Sequence, residues 1–95
     1  MPVEVKRCFI SGEEVQSLEQ FYDAIGSQLS LPEYFGHNLD ALWDVLSTDV
    51  EGPVEIVWTQ AGLSRQAMKE DFERLVAVLE EVVAERDDIS LEVQL

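Results

Sequence analysis

Ile89-Ser-Leu-Glu-Val-Gln-Leu95 alternates apolar and polar side chains without a break, the period of a β-strand with one buried and one wet face. Two further runs suit strands. Val54, Ile56, Val57 and Trp58 form an apolar stretch rich in β-branched side chains, and Val3 to Ile10 form a less regular one. Between these two runs, Ser17 and Gln20 have the spacing of a helix-opening capping box. Leu18, Phe21, Tyr22, Ile25 and Leu29 then recur on one helical face, and Leu31-Pro32 lies beyond that helix's end. Asn38 is a good cap for a second helix whose apolar face is Leu39, Leu42, Trp43 and Leu46, before Gly52-Pro53 breaks the chain. After Trp58, Phe72, Leu75, Val76, Leu79, Val82 and Val83 mark either one long helix capped by Ser64 or two helices broken near Lys69. Strands separated by helices imply parallel pairing through right-handed crossovers, and the half-polar last strand implies helices on one face only. The expected fold is a two-layer α/β domain over residues 1–95, with a three-stranded parallel sheet.

With 20 acids against six bases the formal charge is -14, so direct nucleic-acid binding is disfavoured, as is attraction to anionic membranes. Met1 to Ile10 carries Glu4, Lys6 and Arg7 and suits neither a secretory signal nor a membrane span, so a cytoplasmic location is expected. The lone cysteine, Cys8, has neither a disulfide partner nor zinc-site spacing and reads as a packed strand residue. The charges are unevenly spread. Residues 8–64 hold ten acids and no Lys or Arg.

Few catalytic patterns are available. Glycines 12, 26, 36, 52 and 62 are too dispersed for a phosphate loop. The single histidine, His37, has Asp40 three residues on but no recognisable nucleophile. Asp44, Asp49 and Glu51 lack the alternating spacing of a calcium loop. Neither a metal nor another cofactor is expected. What stands out is a pair of like charges at helical spacing, Asp40 and Asp44, on a face shared with Ser47-Thr48, and a second pair at Glu81 and Glu85. Such pairs cost a helix a few tenths of a kcal/mol. Two of them, one within a base-free region, suit a surface completed by a cationic partner.

The segment Leu31-Pro-Glu-Tyr-Phe-Gly-His-Asn-Leu-Asp-Ala-Leu-Trp-Asp44 resembles the signature of the barstar family, and the resemblance extends over nearly the whole chain. It implies a three-stranded parallel sheet with helices on one face and a cis bond at Gly52-Pro53. It also implies a non-catalytic intracellular inhibitor that occupies the active-site groove of a secreted, basic, guanyl-specific ribonuclease. The expected complex is 1:1, with a monomeric free protein and carboxylates mimicking RNA phosphates. Carried over by position, the implied contacts are Tyr34, Asn38, Leu39, Asp40, Trp43 and Asp44, with Asp44 entering the phosphate pocket. Glu81 and Glu85 match acids at the interface edge. The flanking Ser47, Thr48, Asp49, Val50 and Glu51 complete the expected face. Ser47-Thr48-Asp49 departs from the Thr-Gly-Trp of the family pattern, replacing an aromatic with a charge. This departure keeps open an alternative, an acidic binding module for a different basic protein.

Overall fold

In the computed structural model, which describes residues 4–31 and 36–95, the elements run β1 (Lys6–Ser11), α1 (Leu18–Leu29), α2 (Leu39–Asp44), one π-helical turn (Val45–Asp49), β2 (Val54–Thr59), α3 (Ala61–Met68), α4 (Glu70–Glu85) and β3 (Ile89–Val93). The strands lie in the order β1-β2-β3 and are all parallel, with Lys6 opposite Val54 and Val54 opposite Ile89. This register puts Cys8, Ile56 and Leu91 in one row and Ile10, Trp58 and Val93 in the next. Those side chains face the helices. Phe9 and Arg7 sit in the opposite phase, where Phe9 is 57% exposed and Arg7 pairs with Glu55 across the strands at 3.6 Å. The two-layer α/β architecture follows from this alternation. Burial of the Cys8 thiol, with no partner to stabilise a thiolate, pushes its pKa up to about 11.

Local signals open α1 as the sequence requires. Ser17 is extended and its hydroxyl accepts the Gln20 N–H at 3.2 Å. Gln20 returns the bond to the N–H of Gln16 at 2.8 Å, one residue earlier than the usual capping box. Near its other end, Gln28 reaches the outer side of β1. Its amide donates to the Phe9 carbonyl at 2.6 Å and accepts from the Phe9 N–H at 2.7 Å.

The core is built around Trp58 on the central strand, flanked by Phe21 at 5.3 Å and Phe72 at 5.1 Å between ring centroids. Fully burying such a side chain stabilises the fold by roughly 1.5–3 kcal/mol. The Trp58 indole N–H donates to the Ser64 hydroxyl at 3.1 Å, and that hydroxyl donates to the Val15 carbonyl at 2.6 Å. Ser64 is therefore not a helix cap. It lies buried within α3, tying the tryptophan to the loop after β1.

The region after Trp58 forms two helices, with the break at Lys69, whose φ of 55° no continuous helix can hold. β1 starts at Lys6, after Glu4 and Val5 of the expected first strand, whose Val3 lies outside the described residues, and β3 ends at Val93, short of Leu95. The turn from β2 into α3 passes Gly12 so closely that a Cβ there would lie 1.7 Å from the Gln60 carbonyl oxygen. Before β2, the Gly52–Pro53 bond is cis, as the family resemblance implied.

Candidate functional site

The acidic segment begins at Asn38, whose side chain accepts the Ala41 N–H at 2.8 Å while its carbonyl accepts the Leu42 N–H at 3.0 Å. With its N-terminus fixed, α2 turns Leu42 into the core and rests half-buried Leu39 and Trp43 against it. Asp40 and Asp44 are left exposed on the outer side.

Beyond Asp44 the regular helix does not continue. The chain widens into the π-helical turn, closed by a Val50 N–H to Val45 carbonyl bond of 3.1 Å. The Ser47 hydroxyl donates back to the Trp43 carbonyl, and the Thr48 hydroxyl donates to the Asp44 carbonyl at 2.6 Å. Both side chains thus satisfy the local backbone. Leu46 and Val50 are buried in the core, and the Val50 N–H and carbonyl are both bonded within the chain, while Asp49 and Glu51 are exposed.

Glu81 and Glu85 are exposed on α4, which buries Phe72, Leu75, Leu79 and Val82 and packs against α2. Tyr34 lies outside the described residues. None of the ion pairs among the described residues involves Asp40, Asp44, Asp49, Glu51, Glu81 or Glu85. The cations that do pair, Arg7, Arg74, Arg86 and potentially charged His37, are committed to other acids.

Open hollows adjoin both ends of the segment. One of about 520 Å³ is lined by Leu18, Glu19, Tyr22, His37, Asn38, Leu39 and Asp40. The other, of about 560 Å³, is bordered by Lys6 and by Thr48 to Glu51. In the first, His37 Nδ1 lies 2.9 Å from Glu19 Oε2 and the imidazole stands 5.5 Å from the Tyr22 ring. Asp23 joins that pair, so three exposed side chains bring potential metal-ligating atoms within 4.8 Å of one another. The phenol of Tyr22 has its pKa raised, first by burial and then by the nearby charges of Glu19 and Asp71.

Arg86 is the residue that sequence reasoning missed. Its side chain is 17% exposed, and Nη1 donates to the carbonyls of Leu46 at 2.8 Å and Val50 at 2.6 Å. Standing between Glu85 and Asp87-Asp88, it looks in sequence like part of a solvated charge run. Only its side-chain alternatives hint otherwise, since a planar fork suits several fixed acceptors at once.

A family model described as Barstar (barnase inhibitor) matches residues 5–95. The chain belongs to the barstar family. Among barstar relatives with curated descriptions, the chain is 29% identical over 84 residues to "Putative ribonuclease inhibitor YrdF" of Bacillus subtilis (strain 168), covering 88% of this chain and 92% of that protein. The parallel three-stranded sheet with its packed helices is the barstar-like α/β fold in this chain. Among the described residues, no helix of this barstar relative is long and apolar enough to cross a membrane.

Proposed function

We propose that this protein inhibits a basic ribonuclease by laying the face built from α2, the π-helical turn and the outer side of α4 into the enzyme's substrate groove. One observation carries the reading: on α2, the π-helical turn with the residues just beyond it, and the α4 that packs against α2, six carboxylates, Asp40, Asp44, Asp49, Glu51, Glu81 and Glu85, are exposed and enter no ion pair among the described residues. A ribonuclease groove must hold a polyanion with Arg, Lys and His, and carboxylates on a rigid support satisfy the same groups. Asp44 is placed at the phosphate-binding centre, with Asp40 beside it. Tyr34, Asn38, Leu39 and Trp43 shape the contact, Ser47 and Thr48 hold its backbone, and Val50 anchors the end of the segment. Asp49, Glu51, Glu81 and Glu85 form a rim of charge. Family membership and the name of the Bacillus subtilis relative support this role. The inhibitor has no catalytic task of its own and acts 1:1 in the cytoplasm of the cell that makes the enzyme.

An inhibition titration against a panel of basic microbial ribonucleases tests the reading. Activity of a susceptible enzyme should vanish at equal stoichiometry, and association should slow steeply as salt rises. Failure to inhibit any member at micromolar concentration would refute it. Exposed Asp49, standing where the family pattern has an aromatic residue, favours a second reading, in which the same face binds a different basic protein. Capture of such a protein with no effect on any ribonuclease would select that alternative.

A further inference from the structure

The acidic segment ends in carbonyls that its own turn leaves over. The last carbonyl groups of any helix lack intrahelical partners. Here Leu46 and Val50 direct theirs to Arg86, which is 40 and 36 residues away along the chain. Arg86 leaves α4 in an extended conformation with φ −126° and ψ 124°. The remaining edge of its guanidinium is taken up by Asp88, with Nε donating to Oδ1 at 2.9 Å and Nη2 to Oδ2 at 2.8 Å. Asp88 is itself held, because its carbonyl accepts the Val54 N–H at 2.8 Å. Its carboxylate occupies space that Gly52 leaves free: a Cβ on that glycine would stand 2.2 Å from Oδ2. The links run from the acidic segment through Arg86 and Asp88 to the central strand.

We propose that Arg86 is a positioning residue for partner binding, holding the end of the segment that carries Asp44, Asp49 and Glu51 in the shape a cationic groove must meet. The proposal rests on the inhibitor reading above. Arg86 faces carbonyls and Asp88, so its positive charge supports the segment from behind without forming an ion pair with the six carboxylates of the face. A planar five-donor fork can serve two carbonyls and a carboxylate together, whereas an ammonium has three donors on a flexible stem. Pre-ordering the segment lowers the cost of ordering it on binding, and its loss is read mainly in dissociation.

The experiment compares wild type, Arg86→Gln and Arg86→Lys in amide hydrogen exchange and in binding to a ribonuclease that wild type inhibits. Arg86→Gln should speed exchange of the amides of residues 47–51 by about tenfold or more, the scale of losing hydrogen bonds from a charged donor, while exchange within β2 is unchanged. Dissociation should accelerate by a similar factor, about tenfold, with association altered by less than about twofold, and Arg86→Lys should fall between. Equal acceleration of exchange in β2 and in the segment would make Arg86 a general stabiliser and overturn the proposal. So would faster local exchange with unchanged dissociation. If wild type inhibits no ribonuclease, the inhibitor reading fails and takes this role with it. If wild type inhibits and Arg86→Gln dissociates at the same rate, the positioning role alone fails.

Discussion

The two ends of α4 treat acidic side chains in opposite ways. At its start, Glu70 and Asp71 stand where the helix presents unpaired N–H groups, and Arg74 lies 3.8 and 3.7 Å from them, one turn on. Both neighbours, helix end and arginine, favour negative charge there. At its finish, Glu81 and Glu85 approach the end where carbonyl oxygens accumulate, and the last turn contains no base. Asp44 stands where α2 passes into the π-helical turn, one turn beyond the like charge of Asp40 and again without a base in the last turn of α2. The first arrangement serves the fold. The second leaves charge against the local preference of the helix, on the surface proposed to meet a cationic protein.

The sharpest way to break this comparison is Asp44→Ala. Its affinity for a susceptible ribonuclease should fall by about 2–5 kcal/mol, the cost of truncating one partner of a desolvated charge pair, as measured by inhibition titration. Thermal melting should show the variant folded and no less stable than wild type, because the repulsion between Asp44 and Asp40 is removed. Glu55→Ala, which removes an exposed cross-strand pair, should leave affinity unchanged. An Asp44→Ala protein that binds normally would place the interface elsewhere.

Ser64→Ala tests the opposite side of the contrast. It strands the buried Trp58 N–H and the Val15 carbonyl, which should cost about 1–3 kcal/mol of stability in denaturant unfolding, with affinity for the enzyme retained. A variant as stable as wild type would mean that the buried hydroxyl contributes nothing.

Asp88 supplies a pH-dependent test. Its hydrogen bonds from Arg86 hold the carboxyl below its ordinary value of 3.8. A carboxyl with a lowered folded-state pKa adds stability that is fully present above the unfolded value and lost as pH falls through the folded one. An NMR titration should therefore place the Asp88 midpoint below 3.8 in wild type and return it towards 3.8 in Arg86→Gln. Identical midpoints in the two proteins would show that the guanidinium does not hold the carboxylate in solution.

The smallest effect is expected for Glu85→Lys. Replacing an acid by a base in the last turn of α4 should stabilise the free protein by about 0.3–1 kcal/mol, while a rim charge reversed against a basic enzyme slows association. Stopped-flow rates equal to wild type at low salt would remove Glu85 from the interface.

Much of this contrast is visible in the sequence because it depends on local spacing. The period of residues 89–95, the Ser17–Gln20 signal and the Asn38 cap each announce an element through contacts within a few residues. Asp40 and Asp44 are legible for the same reason: with the cap fixed, helical spacing and the inward turn of Leu42 leave both outside. The π-helical turn is less visible, since spacing alone extends the regular helix to Ser47 and Thr48. Their hydroxyls compete for backbone carbonyls, which a periodicity argument leaves out. Lys69 adopts a positive φ without the glycine that would advertise it. Ser64 and Arg86 depend on partners about 40 or more residues away, so their side chains acquire meaning only when β1, β2 and α4 are assembled.

A three-stranded sheet has two outer edges, and an edge left bare is a template on which another chain can continue the ladder. At Phe9 the Gln28 amide occupies both the donor and the acceptor that an incoming strand would use, standing in for one peptide unit of a fourth strand. A single glutamine side chain thus blocks the β1 edge at Phe9 from within the chain. Although Phe9 exposes an aromatic ring on the open face beside that edge, a second molecule would have to displace the amide before pairing there. It would also have to bring another chain of formal charge -14 into contact. For a protein whose acidic face is proposed to bind a basic enzyme, both features oppose pairing of the β1 edge with a copy of itself.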